Sequence, residues 1–126
     1  MLRRLYPLIN KQSKLHWSIG LVIYKALLRS VITYGCPVWG QASKTHIKKL
    51  QVFQNKVLRM ITHLPRFIPI QILHRETRMD TIQEFIEKVT ERFYNSTADH
   101  ENELVKQLGS YDPNDYKYRM PKSLLR

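Results

Sequence analysis

No aspartate or glutamate occurs between Met1 and Arg75, a stretch holding thirteen lysines and arginines, and the first acid is Glu76. The rest of the chain has eight bases and ten acids, so the formal charge of +11 divides into +13 and −2. A basic stretch of that length on folded helices suits a polyanion, because each Lys or Arg set against a phosphate releases a condensed counterion. A solvated basic face without a specific partner is the plainer alternative; complete exclusion of acids favours nucleic acid.

Cysteine, glycine and long apolar runs are also scarce. Cys36 is the only cysteine, which excludes an intramolecular disulfide and is compatible with a reducing compartment. Only four glycines occur, and none forms a glycine-rich phosphate loop. The five histidines, His16, His46, His63, His74 and His100, show no metal-ligand spacing, so no metal and no cofactor is expected. Glu84, Glu87 and Glu91 lie along the solvated side of a helix, and no nucleophile elbow or Ser/His/Asp set is present, so no catalytic residue is assigned. Leu15 to Tyr34 is the one stretch long enough to raise a membrane span. Lys25 and Arg29 near its middle would each cost about 2.5–3.5 kcal/mol on insertion, so no membrane is expected as a partner. The N-terminal apolar run is broken by Pro7 and Asn10 with no small-residue cleavage site after it. The expected location is nuclear or cytoplasmic, not secreted.

What remains is helical. The pattern predicts an all-α fold with three main helices, at about residues 13–34, 43–62 and 81–94, a short C-terminal helix and an irregular tail from Tyr111. Residues 1–94 read as the helical domain and 95–126 as a polar tail. The first helix is expected to end at Gly35 in a left-handed conformation, with Pro37 stopping any continuation. Apolar side chains cover nearly its whole circumference, and only Ser18, Lys25 and Arg29 make a polar arc. Such a helix is expected to be buried almost all round. Two further helices fall short of covering it, so part of its surface suits protein outside this chain. In the second helix Ile47, Leu50, Gln54, Val57, Leu58 and Ile61 share one face, with Phe53 and Met60 at its border. Lys44, Lys48, Lys49, Lys56 and Arg59 stand opposite, with no acid to pair with. These five are the candidate phosphate contacts; Lys25, Arg29 and Arg66 are further candidates. The third helix, with Ile82, Phe85, Ile86, Val89 and Phe93 inward, reads as structural. Tyr34-Gly35-Cys36-Pro37-Val38-Trp39-Gly40 is a turn whose two large aromatics either stack on bases or, as favoured here, close the core at the helix corner.

The run from Tyr24 through Tyr34-Gly35-Cys36-Pro37-Val38-Trp39-Gly40 resembles a segment near the C-terminus of jockey-type non-LTR retrotransposon polyproteins of insects. So does the stretch from Ala42 through Phe53-Gln54-Asn55-Lys56-Val57-Leu58-Arg59-Met60-Ile61-Thr62. The likeness spans about residues 5–93, with Leu5-Tyr6-Pro7-Leu8-Ile9-Asn10 and His74-Arg75 in similar places. It implies the thumb and post-thumb part of a reverse transcriptase, an RNA-directed DNA polymerase that grips a template–primer duplex. The aspartates of such polymerases sit in a Tyr/Phe-Ala-Asp-Asp-type motif that this sequence lacks, so the chain is expected not to polymerise by itself. The implied partners are RNA–DNA hybrid or duplex, bound without sequence preference, and the missing polymerase domains or another protein along the first helix. The alternatives are a helical piece reused as a protein-interaction module and a genomic relic without function.

Overall fold

The computed structural model describes residues 2–10, 14–41, 43–115, 117 and 121–125, and among these the chain is helical with no strand. No described helix is long and apolar enough to cross a membrane. The helices fall into two compact units, residues 1–34 with 48–81 and residues 35–47 with 82–126.

The first unit opens with α1, Leu2–Ile9, which the sequence reading did not anticipate. Pro7 lies inside it and forgoes a backbone bond. Burial offsets that loss: Leu2, Leu5 and Ile9, spaced three and four apart, all face the core. The expected helix at 13–34 is found in three contiguous parts. They are α2 (Trp17–Ile23), a π-helical stretch (Tyr24–Arg29) and α3 (Ser30–Ile32); the expected start at Ser13 lies outside the described residues. His16 caps α2, its Nδ1 accepting the Ser18 N–H at 3.3 Å. The π stretch explains the spacing of the inward residues. Tyr24 and Leu28 are buried four apart, but the next buried side chain is Thr33, five further on.

This helix is not buried all round. Its inner side carries Leu21, Tyr24 and Leu28, while Trp17, Ile19, Val22, Leu27 and Val31 are exposed on the outside, Val22 to 63%. The core of the unit takes in Leu21, Tyr24 and Leu28 and none of the five exposed side chains.

Helix α5, Lys44–Thr62, brings Val57, Leu58 and Ile61 to the same core. Gly20 is where α2 meets it: a β-carbon there would stand 2.7 Å from Ile61 Cγ2. A second unanticipated helix, α6 (Ile70–Thr77), fills the expected break. Pro69 precedes it, as suits a helix start, and Leu73 and Thr77 turn inward one turn apart. Arg78 ends it in the left-handed conformation (φ 52°), and Met79 N–H returns to the His74 carbonyl at 3.1 Å.

In the second unit, Gly35 adopts φ +66°, the left-handed residue expected after the first helix. Pro37 does not simply stop the chain, because it starts the short α4, Cys36–Trp39. Helix α7 runs Ile82–Ala98, four residues past the expected end, with Ile82, Ile86, Thr90 and Thr97 buried. The Thr90 hydroxyl donates to the Ile86 carbonyl at 2.8 Å, so that polar group is satisfied inside the unit. Helix α8 (Glu103–Lys106) matches the expected short helix, capped by Asn102 Oδ1 accepting from Leu104 N–H at 2.9 Å. The tail is less irregular than expected. Its described parts include 3-10 turns at Pro113–Asp115 and Pro121–Leu125; the latter packs on α7, as does the 3-10 turn Gln107–Gly109 that continues α8. Tyr111 fastens them, its hydroxyl accepting Lys122 N–H at 3.0 Å and lying 3.4 Å from the Tyr94 hydroxyl.

Candidate nucleic-acid interface

Helix α5 has two faces of opposite character. Inward stand Ile47, Gln54, Val57, Leu58 and Ile61, all buried. Leu50, Phe53 and Met60 are half-buried at the edge. Outward stand Lys44, Lys48, Lys49 and Lys56, all exposed, and no carboxylate of the described residues is paired with any of them. Lys44 lies in the first turn, which groups with the second unit, and the other three lie in the first. A helix N-terminus ordinarily gains from acids in its first turn, and this one has none.

Arg59 differs from these lysines. It is half-buried, and its guanidinium donates through Nη1 to the Pro65 carbonyl at 3.0 Å and through Nη2 to the Ile68 carbonyl at 2.9 Å. The planar fork thereby holds the 65–68 loop against the helix and keeps positive charge at that point. Arg66, within the loop, is exposed. Lys56, Arg59 and Arg66 thus converge on one groove of about 850 Å³ in the first unit. Tyr6 of α1 and Asn10 just after it form one wall, and Val52, Asn55 and Met60 of α5 another. Leu64 and Pro65 close it, and no acid of the described residues lines it.

Lys25 and Arg29 lie on the π stretch, apart from this groove. Lys25 is exposed. Arg29 is half-buried and turned inward, with Nη1 3.8 Å from Met79 Sδ. Beneath it the Tyr24 phenol is pushed above its ordinary pKa by burial, an effect that the Gln54 amide and the Arg29 charge oppose. Tyr34 does not close the core as expected: it is 85% exposed, and Trp39 is half-buried. The left-handed Gly35 directly after it turns the chain away, which leaves the ring outside.

A polar cluster holds α5 to α6. Gln51 Nε2 donates to Gln54 Oε1 at 2.7 Å and to Asn55 Oδ1 at 2.8 Å. His74 Nδ1 lies 2.9 Å from the Met79 carbonyl and therefore carries a proton, and its Nε2 lies 3.2 Å from Asn55 Oδ1. Gln54, fully buried, donates to the Asp80 carbonyl at 3.0 Å. Sequence reasoning put Gln54 on the inward face but missed Tyr6, Asn10, Asn55 and His74. The only signal was the resemblance, whose strings contain all four.

No family model matches the sequence, and no solved structure matches the fold. Several curated proteins do. A probable RNA-directed DNA polymerase from transposon X-element of Drosophila melanogaster is 37% identical over 121 residues, 95% of this chain and 13% of that protein. The probable RNA-directed DNA polymerase from transposon BS of the same species is 28% identical over 107 residues, 85% of this chain and 12% of the relative. The RNA-directed DNA polymerase from its mobile element jockey is 27% identical over 107 residues, with the same two shares. This chain is therefore a relative of transposon-encoded RNA-directed DNA polymerases, jockey among them, and spans only 12–13% of the length of those three.

Proposed function

We propose that the chain binds nucleic acid without sequence preference, as the template–primer-holding, thumb-like piece of a reverse transcriptase. The observation that carries this reading is the outward face of α5, where every charged side chain is a lysine and no acid stands. Lys48, Lys49 and Lys56 neutralise phosphates, Arg59 adds charge while holding the loop, and Lys44 in the first turn has the same role. Lys25, Arg29 and Arg66 add weaker attraction, Arg29 least because it is turned inward. RNA–DNA hybrid and duplex are the expected partners. The chain by itself does not polymerise, since its sequence contains no Ala-Asp-Asp-type motif to hold two metal ions. A nuclear or cytoplasmic location follows from this reading.

Fluorescence anisotropy with labelled hybrid, duplex and single strands across a salt series tests it. A log–log slope of about −3 to −5 is expected for the phosphates this face reaches. Replacing Lys48 and Lys56 by Glu is expected to weaken binding to every sequence and flatten that slope by about two. Unchanged affinity in the double variant sinks the assignment.

A second reading has its own observation. Val22, Leu27 and Val31 leave an apolar strip exposed along α2, the π stretch and α3, which suits a protein partner. Self-association at micromolar concentration without affinity for any nucleic acid would favour that reading.

A further inference from the structure

The groove beside Lys56 is built from groups that a phosphate backbone alone does not use. Val52, Met60 and Leu64 make an apolar lining, and Tyr6 stands beside them half exposed at 51%. Lys56 and Arg66, both exposed, supply the charge, and no acid of the described residues lines the groove with them. A hydrated phosphate loses by burial against apolar side chains, whereas a nucleobase gains. Its flat faces stack on an aromatic ring or an apolar wall, and stacking does not depend on which base is present. The volume of about 850 Å³ lies within the range of sites that enclose small organic molecules. A base within a duplex reaches such a groove only by unstacking and unpairing, a cost absent at a strand end.

We infer that this groove seats one unpaired nucleotide at the end of a nucleic-acid strand, its base on Tyr6 and Val52 and its phosphate at Lys56 and Arg66. The inference rests on the nucleic-acid reading above and adds a subsite for a base beside Lys56, one of the outward lysines that meet the backbone. A protein that holds a duplex in this way favours one with a single-stranded overhang over a blunt one.

The test compares three duplexes of equal length: blunt, with a short overhang, and with the same overhang made abasic, which keeps the phosphates and removes the bases. The intact overhang is expected to bind about tenfold more tightly than the abasic one, the size of a single stacked base. A 2-aminopurine at the first unpaired position should change its emission on binding. Tyr6→Ala, and independently Val52→Ala, which removes the apolar wall at an exposed position, are each expected to erase most of the tenfold advantage and leave blunt-duplex affinity in place. Circular dichroism confirms that both variants are folded. Equal affinity for intact and abasic overhangs, or an advantage that survives both variants, overturns the subsite and leaves the backbone reading standing. Absence of binding to all three duplexes at low salt overturns both.

Discussion

Gly20 shows how one residue decides whether two helices meet. Its α-hydrogen faces Ile61, and a methyl in its place would press on Cγ2 at 2.7 Å, closer than packed carbons approach. Gly20→Ala is therefore expected to destabilise the first unit by about 1–3 kcal/mol, despite the better helix propensity of alanine. Urea denaturation of the two proteins measures it; an equal or higher midpoint for the variant would mean that Ile61 yields freely. Arg59 teaches a related lesson about charge. Its periodicity places it with the outward lysines, yet its guanidinium spends two donors on the carbonyls of residues 65 and 68. A side chain that long is not confined to the direction its α-carbon faces.

At the scale of the element, α5 joins an apolar seam, a polar clamp and a basic outer face. The clamp depends on Gln54, a fully buried amide that donates to the Asp80 carbonyl and accepts from Gln51. Gln54→Leu preserves shape but strips those partners, and a loss of about 1–3 kcal/mol is expected from polar groups left unmet. Chemical denaturation reads it out, and a neutral result would mean that water replaces the amide. The inward face of α5 was legible because a period of 3.6 separates Ile47, Leu58 and Ile61 cleanly from the lysines. Helices α1 and α6 were not legible. One contains Pro7 and the other lies just after Pro65 and Pro69, and local rules read proline as a break. Both form because side chains at one-turn spacing, Leu2, Leu5 and Ile9 in one and Leu73 and Thr77 in the other, find a core to enter, a gain that no local rule contains.

At the scale of the molecule, the charge divides along the chain while the packing does not follow that division. Residues 35–47 come from the acid-free part and pack with 82–126, which hold eight of the ten acids, so each unit is better described by its own groups than by position in the chain.

 Eight acids, from Glu84 to Asp115, therefore lie in the second unit, and only Glu76 and Asp80 lie in the first. Each unit also holds a phenol that burial pushes up, Tyr24 in the first and Tyr94 in the second, where the Tyr111 hydroxyl adds to the effect. The folded chain keeps these protons at a pH where the unfolded chain, with phenols near 10.0, releases them. The unfolded state then binds fewer protons, so the stability both groups contribute is present below pH 10 and is lost as the pH rises past it. Alkaline titration followed by tyrosinate absorbance and circular dichroism should show helix loss accompanying late ionisation. Early ionisation of every tyrosine with the helices intact would contradict the burial of both.

The all-α class, the inward and outward faces of α5, the left-handed turn at Gly35 and the resemblance to transposon polymerases could all be read from the residues. These are local or compositional properties, set by periodicity, by the conformational freedom of glycine and by the string of residues itself. That α1 and α6 form, that Tyr34 is exposed, that Arg29 turns inward and that Arg59 holds a loop came from packing. It also decided that Tyr6 and Asn10 share a groove with Lys56. The reason is physical: each of these depends on surface contributed by residues far away in the chain, and the free energy of that burial exceeds the local preferences that a sequence displays.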